Sequence, residues 1–207
     1  VLGDATTADN SNDMINRLTT ILANTVDLTN GGILGAGAGT DTVITPKAVN
    51  PGSAATFILQ VKGGTSADTY AFSAWGDFAA TAPVTSNFSV AFFADTSAAH
   101  DCSTIGSQVS DTGNISPGAK SYFCGVVTSA SVTPAGTTAK VYFRVRSNST
   151  GTSDIKLDEV TVKAAHAISL NPDNAQQAFP GGNVIYIHTL ANNGNSPETI
   201  SLAKTDT

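Results

Sequence analysis

The stretch VNPGSAATFILQVKGGTSADTYAFSA, from Val49 to Ala74, recurs as AFPGGNVIYIHTLANNGNSPETISLA, from Ala178 to Ala203, at an offset of 129 that becomes 130 after one loop insertion. Pro51 and Gly52 align with Pro180 and Gly181. Phe57, Leu59 and Val61 then align with Tyr186, His188 and Leu190. Beyond the loop, Asp68, Thr69, Tyr70 and Phe72 align with Glu198, Thr199, Ile200 and Leu202. Each copy is a Pro-Gly turn, an alternating segment, a Gly/Asn-rich reversal and a second alternating segment, which predicts one β-hairpin per copy. A weaker match pairs Val26–Asn30 with Ile168–Pro172 and predicts the first strand of each unit. The chain therefore divides into an N-terminal segment (1–24), a first unit (25–165) and the start of a second (166–207).

Within the first unit, Phe88, Val90 and Phe92 alternate with Ser89, Ala91 and Phe93, and Tyr122, Cys124 and Val126 with Phe123, Gly125 and Val127, as buried sandwich strands do. Val141, Phe143 and Val145 face one way, while Lys140, Tyr142, Arg144 and Arg146 face the other. In the last strand of the unit Ile155 and Leu157 have one parity and Val160 and Val162 the opposite one, which predicts a β-bulge around Asp158-Glu159. About seven strands separated by Gly, Pro and Asn turns predict an all-β chain: an immunoglobulin-like antiparallel β-sandwich followed by an incomplete second sandwich. Before it, Met14, Ile15, Leu18, Ile21 and Leu22 recur at helical spacing behind Asp9, Asn10 and Ser11, and predict a short amphipathic helix.

Composition agrees with this class. The chain has 28 Thr, 20 Ser and 29 Ala against 7 Lys, 3 Arg and 2 Glu, so helix formers other than Ala are scarce. A net charge of -6 disfavours nucleic acid and anionic membrane surfaces, where association would begin with like-charge repulsion. No apolar run approaches the roughly 20 residues that cross a bilayer. The acidic balance, low Lys and Glu usage and one Cys pair point to an extracellular location.

Candidate chemical sites are few. Cys102 and Cys124 flank a Gly/Ser-rich excursion and are expected to form a disulfide; two cysteines are too few for a structural zinc site. His100-Asp101-Cys102 lists the components of a nucleophile cluster, but neighbours on an extended chain point to opposite faces. His166 and His188 lack paired metal-ligand spacing, and His188, in the position of Leu59, is expected to be hydrogen-bonded and partly buried. Asp154, Asp158 and Glu159 form an acidic cluster without a calcium-loop pattern. No metal, cofactor or catalytic activity is expected. Trp75, Tyr70, Tyr142 and Tyr122 are the aromatic residues from which a sugar platform could be built.

Three strand candidates, near Ile168–Leu170, Val184–Leu190 and Thr199–Leu202, cannot close a sandwich, and they leave an apolar face and unpaired edges. Completion is expected either from further polypeptide or from another subunit by strand addition. The expected assembly surface comprises Val184, Ile185, Tyr186, Ile187, His188, Leu190, Ile200 and Leu202, with Met14, Ile15, Leu18, Ile21 and Leu22 as a candidate cover.

The segments AVNPGSAATFILQV, GTSADTYAFSA, SNSTGTSDIKLDEVTV and LNPDNAQQAFPGGNVIYIHTLANNGN, roughly 80 of the 207 residues, resemble the Ig-like conserved-repeat domains of large bacterial surface and S-layer-associated proteins. That resemblance implies a tandem array of β-sandwiches in the cell envelope, with no catalytic residues to carry over. The Cys pair, Arg144 and Arg146 depart from the usual run of such repeats. The expected function is that of a structural subunit or fragment of an extracellular assembly, filament or S-layer, built head to tail by strand complementation. Its partners would be copies of itself or other envelope proteins. The alternative is an adhesin or carbohydrate-binding module.

Overall fold

A computed structural model describes residues 26–29 and 46–203. Among these residues the chain is all β. One five-stranded sheet has the order β1 (Asp27–Thr29), β3 (Ala54–Lys62), β8 (Lys120–Ser129), β5 (Phe88–Asp95), β6 (Ile105–Gln108). The second has the order β2 (Pro46–Val49), β10 (Ser153–Val162), β9 (Thr138–Ser147), β4 (Asp68–Trp75), β7 (Asp111–Ile115). A third, two-stranded sheet joins β11 (Ile168–Asn171) to β12 (Thr189–Asn192). Neighbours are antiparallel except β2 and β10, which run parallel. The expected N-terminal helix, with Met14, Ile15, Leu18, Ile21 and Leu22, lies outside the described residues.

The two large sheets share one core. Phe57, Leu59, Phe123 and Val127 from the first meet Tyr70, Val141, Phe143, Val145, Val160 and Val162 from the second. The contact is closest at Gly125, which lies between Phe57 and Phe92 on the flanking strands. Phe143 of the opposite sheet enters this gap, its ring 5.6 Å from that of Phe57 and 6.0 Å from that of Phe92. A Cβ on Gly125 would meet the Phe143 ring at 2.6 Å, so only glycine fits beneath it.

Among the described residues ten strands precede residue 165, rather than about seven. The surplus lies mainly in the excursion between Cys102 and Cys124, where β6 extends the first sheet and β7 the second. Val109-Ser110 bridges them, with Val109 N–H donating to Phe92 and Ser110 accepting from Phe72 N–H, both at 2.9 Å. Backbone hydrogen bonding along exposed edges let these Gly/Ser-rich segments form strands without an apolar pattern.

The expected β-bulge is absent, and β10 pairs with β9 without interruption from Ser153↔Arg146 to Thr161↔Thr138. The apolar residues change face instead. Asp154, Lys156 and Asp158 point inward on the same side as Val160 and Val162, while Ile155 and Leu157 are buried on the outer face. Lys156 Nζ pairs with Asp158 and lies 5.7 Å and 5.9 Å from the ring centres of Phe57 and Phe143, so charge complementarity and cation–π attraction offset its removal from water.

Candidate functional site

Among the described residues, the single strand pair of the second unit repeats the register of one pair in the first, whereas the β-hairpin expected of each copy is absent, since β3 and β4 lie in different sheets. Leu28 pairs with Val61 in β1–β3, and their repeat counterparts Leu170 and Leu190 pair in β11–β12. The surroundings differ sharply. Leu28 and Val61 are 0% exposed beneath the opposite sheet, whereas Leu170 and Leu190 are 49% and 38% exposed. Ile185 and Ile187 are 81% and 79% exposed, and Phe179, Tyr186 and Leu202 are exposed as well. Val184 and Ile200 are half-buried. Neither Val184–His188 nor Thr199–Leu202 forms a strand, because the described residues provide no neighbour to pair with them. His188, expected to be partly buried, is exposed; no sheet lies opposite to enclose it.

A compact junction fixes this open unit to the closed one. The Asn195 side chain accepts from Ala165 N–H at 2.7 Å and donates to the carbonyls of Thr133 and Lys163 at 3.0 Å and 2.9 Å. Its backbone adds bonds to Ala135 and Ala165. The preceding Gly194 packs so closely that a Cβ would meet Ala165 O at 2.3 Å. Nearby, His166 Nδ1 contacts Glu198 Oε1, and this hydrogen bond holds the Glu198 carboxyl below its usual range.

The acidic residues of the sequence are divided among separate duties. Burial raises the Asp154 carboxyl despite hydrogen bonds from Leu28 and Ile155 N–H, and the charge of Asp27 raises it further. At Asp68 burial pulls the same way, but hydrogen bonds from Ser147, Ser149 and Thr69 N–H prevail and the carboxyl is lowered. Glu159 lies on the opposite face of β10 from Asp154 and Asp158, so the three form no oxygen cage. Cys102 and Cys124 are joined in a disulfide. Asp95 lies beside it, and although these three residues are the one cluster of possible metal ligands among the described residues, the sulfur atoms are bonded to each other. His100 stacks flat on Tyr122 at 3.8 Å and leaves no nucleophile cluster with Cys102.

The four aromatic candidates fall into different places. Tyr70 is buried, its hydroxyl accepting from Gly64 N–H at 2.9 Å, and Tyr122 is capped by His100. Trp75 and Tyr142 are direct cross-strand neighbours on the outer face of the second sheet. Phe78, not singled out by sequence, joins them edge-on to Tyr142 at 6.4 Å.

No protein-family description matches this chain, and no curated protein matches it in sequence. Among solved structures, a family 123 glycoside hydrolase from Clostridium perfringens superposes with a TM-score of 0.37 and 9% identity, over 57% of this chain and 23% of that one. A sporulation control protein from Bacillus subtilis superposes with a TM-score of 0.32 and 16% identity, over 68% and 49% of the two chains. The chain thus spans a quarter to a half of these proteins, and overlap at this level assigns no function. Among the described residues no helix is long and apolar enough to cross a membrane.

Proposed function

We propose that this chain is a structural element of an extracellular surface assembly, filament or S-layer, whose first unit is an immunoglobulin-like sandwich and whose second is completed by strands from a neighbouring molecule. The observation that supports this most is the shared register: Leu170↔Leu190 reproduces Leu28↔Val61, yet only the first pair is covered. An apolar face and an unpaired edge in water are high in free energy, and strand addition satisfies both at once. A donor strand would occupy the place that β8 takes beside β3 in the first unit. Because donor and acceptor surfaces would differ, the contact is heterologous and propagates into a fibre or lattice unless rotation closes it. The disulfide suits an oxidising location. On this reading no catalytic step is assigned.

Light scattering after size exclusion tests the proposal. The chain is expected to form larger species as concentration rises, and Ile185→Lys with Ile187→Lys is expected to leave monomers. Monomers at every concentration for both proteins would defeat the reading.

A further inference from the structure

We propose that the outer face of the second sheet binds an acidic polysaccharide, with Trp75, Tyr142 and Phe78 stacking on sugar rings and Arg144 and Arg146 pairing with carboxylate or sulfate groups. This goes beyond the assembly reading and uses a different part of the molecule.

The aromatic group is held in place before any ligand arrives. Trp75 and Tyr142 are opposite one another on β4 and β9, and Trp75 Nε1 donates to Ser73 Oγ at 3.1 Å, which fixes the indole. Phe78 is 47% exposed on the loop that follows β4. That loop is tightly determined. Asp77 accepts from Thr81 N–H at 2.9 Å, Thr81 Oγ1 at 2.5 Å and Ala82 N–H at 3.0 Å, and Gly76 N–H donates to Ala82 O at 2.8 Å. Ala80 is held at a φ of 57°, in the left-handed region that an alanine rarely adopts. A Cβ on Gly76 would meet Pro83 O at 2.5 Å. Strain of this kind persists only where its surroundings over-determine it, and it is often found where a surface must be preorganised. Here its product is a fixed, exposed phenylalanine beside a tyrosine and a tryptophan.

The charge on the same face selects the ligand class. Outward positions on β9 continue from Tyr142 to Arg144 and Arg146, a span of about 13 Å at ~3.3 Å per residue. Arg144 is half-buried, its Nη2 donating to Ser153 Oγ at 2.9 Å and its buried Nε lacking an acceptor, while the exposed Arg146 guanidinium lies against Gly151. Neither arginine has a carboxylate partner among the described residues, in a chain with 16 acidic and 10 basic residues. The other charges on this face are Lys140 and Glu159, opposite each other beyond Tyr142, and Asp111 on β7, which pairs with Ala71 two strands from Arg146 and is engaged by Gly113 N–H. Two uncompensated guanidinium groups next to a row of aromatic rings fit an anionic sugar polymer, since arginine pairs with carboxylates in bidentate fashion and sugar C–H faces lie on aromatic rings.

Affinity electrophoresis in gels containing polygalacturonate, chondroitin sulfate or neutral dextran tests the assignment, with calorimetry on soluble oligomers of whichever polymer retards the chain. Retardation by an acidic polymer and not by dextran is expected, weakening as salt is added. Because the protein carries a net charge of -6, unspecific attraction to a polyanion works against this result. Trp75→Ala and the pair Arg144→Gln/Arg146→Gln should each raise the dissociation constant at least tenfold. Phe78→Ala should raise it about threefold; its exposed position keeps the test valid if the Trp75 variant does not fold. Three outcomes overturn the proposal: no retardation by either acidic polymer, equal retardation by dextran, or binding unchanged in the Phe78 and double-arginine variants.

Discussion

Lys156 places a charge inside the core of the first unit. Its ammonium group is enclosed beside Asp158 and two phenylalanine rings, so Lys156→Met removes the opposite charge from a buried carboxylate and should cost about 3–5 kcal/mol. Adding Asp158→Leu should restore most of that loss; urea midpoints of the two variants provide the comparison. Asp68 behaves differently. Its folded value is depressed, so its contribution is present above its unfolded value and disappears as pH falls through the folded one. Asp68→Asn should therefore destabilise by about 2 kcal/mol at neutral pH, from charged hydrogen bonds lost to Ser147 and Ser149, and by much less near pH 2. Equal destabilisation at both pH values would show that the hydroxyl groups do not act through charge. Asp154 has the opposite sign, since burial raises it: its contribution is complete below the unfolded value and fades as pH rises through the folded one.

At the level of elements, alternation in sequence located β3, β4, β5, β8 and β9, because each has one face in the core. It misread β10, where apolarity alone does not reveal that Lys156 and Asp158 face inward together and satisfy one another, while Ile155 and Leu157 are buried on the other side. Parity could have separated the aromatics: Tyr70 and Trp75 are five residues apart on one strand and must face opposite ways. Phe78 carried no signal, since its place depends on a loop conformation. Two elements lend themselves to direct tests. Gly125→Ala on β8 would push into the Phe143 ring and should destabilise by about 1–3 kcal/mol, measured by urea unfolding. Cys102→Ser with Cys124→Ser opens a cross-link at a sequence separation of 22 and should cost about 3 kcal/mol, with β6 and β7 losing amide protection first.

For the molecule as a whole, the internal repeat was legible but the hairpin expected of each copy does not form: β3 and β4 lie in different sheets and Thr199–Leu202 is not a strand, and what recurs is the pairing of residues 27–29 with 60–62 as 169–171 with 189–191. What sequence left open was how the two units meet. Asn195 answers this with three side-chain hydrogen bonds across the junction, and Gly194 permits the approach. Asn195→Ala should leave the unfolding midpoint of the first unit nearly unchanged while residues 167–203 reorient independently. Residual dipolar couplings that still fit a single alignment tensor would contradict this.

The parallel pairing of β2 with β10 has a mechanical corollary. β2 and the last strand of the closed unit lie side by side, paired from Glu159↔Pro46 to Val162↔Val49, so tension applied at Pro46 and Val162 slides the two past each other. Every bond between them then bears load together, whereas an antiparallel terminal hairpin would peel open one rung at a time. Pulling on single molecules through residues 46 and 162 should give a rupture force well above that of the β11–β12 pair, and Lys47→Pro, which deletes a backbone donor in β2, should lower it.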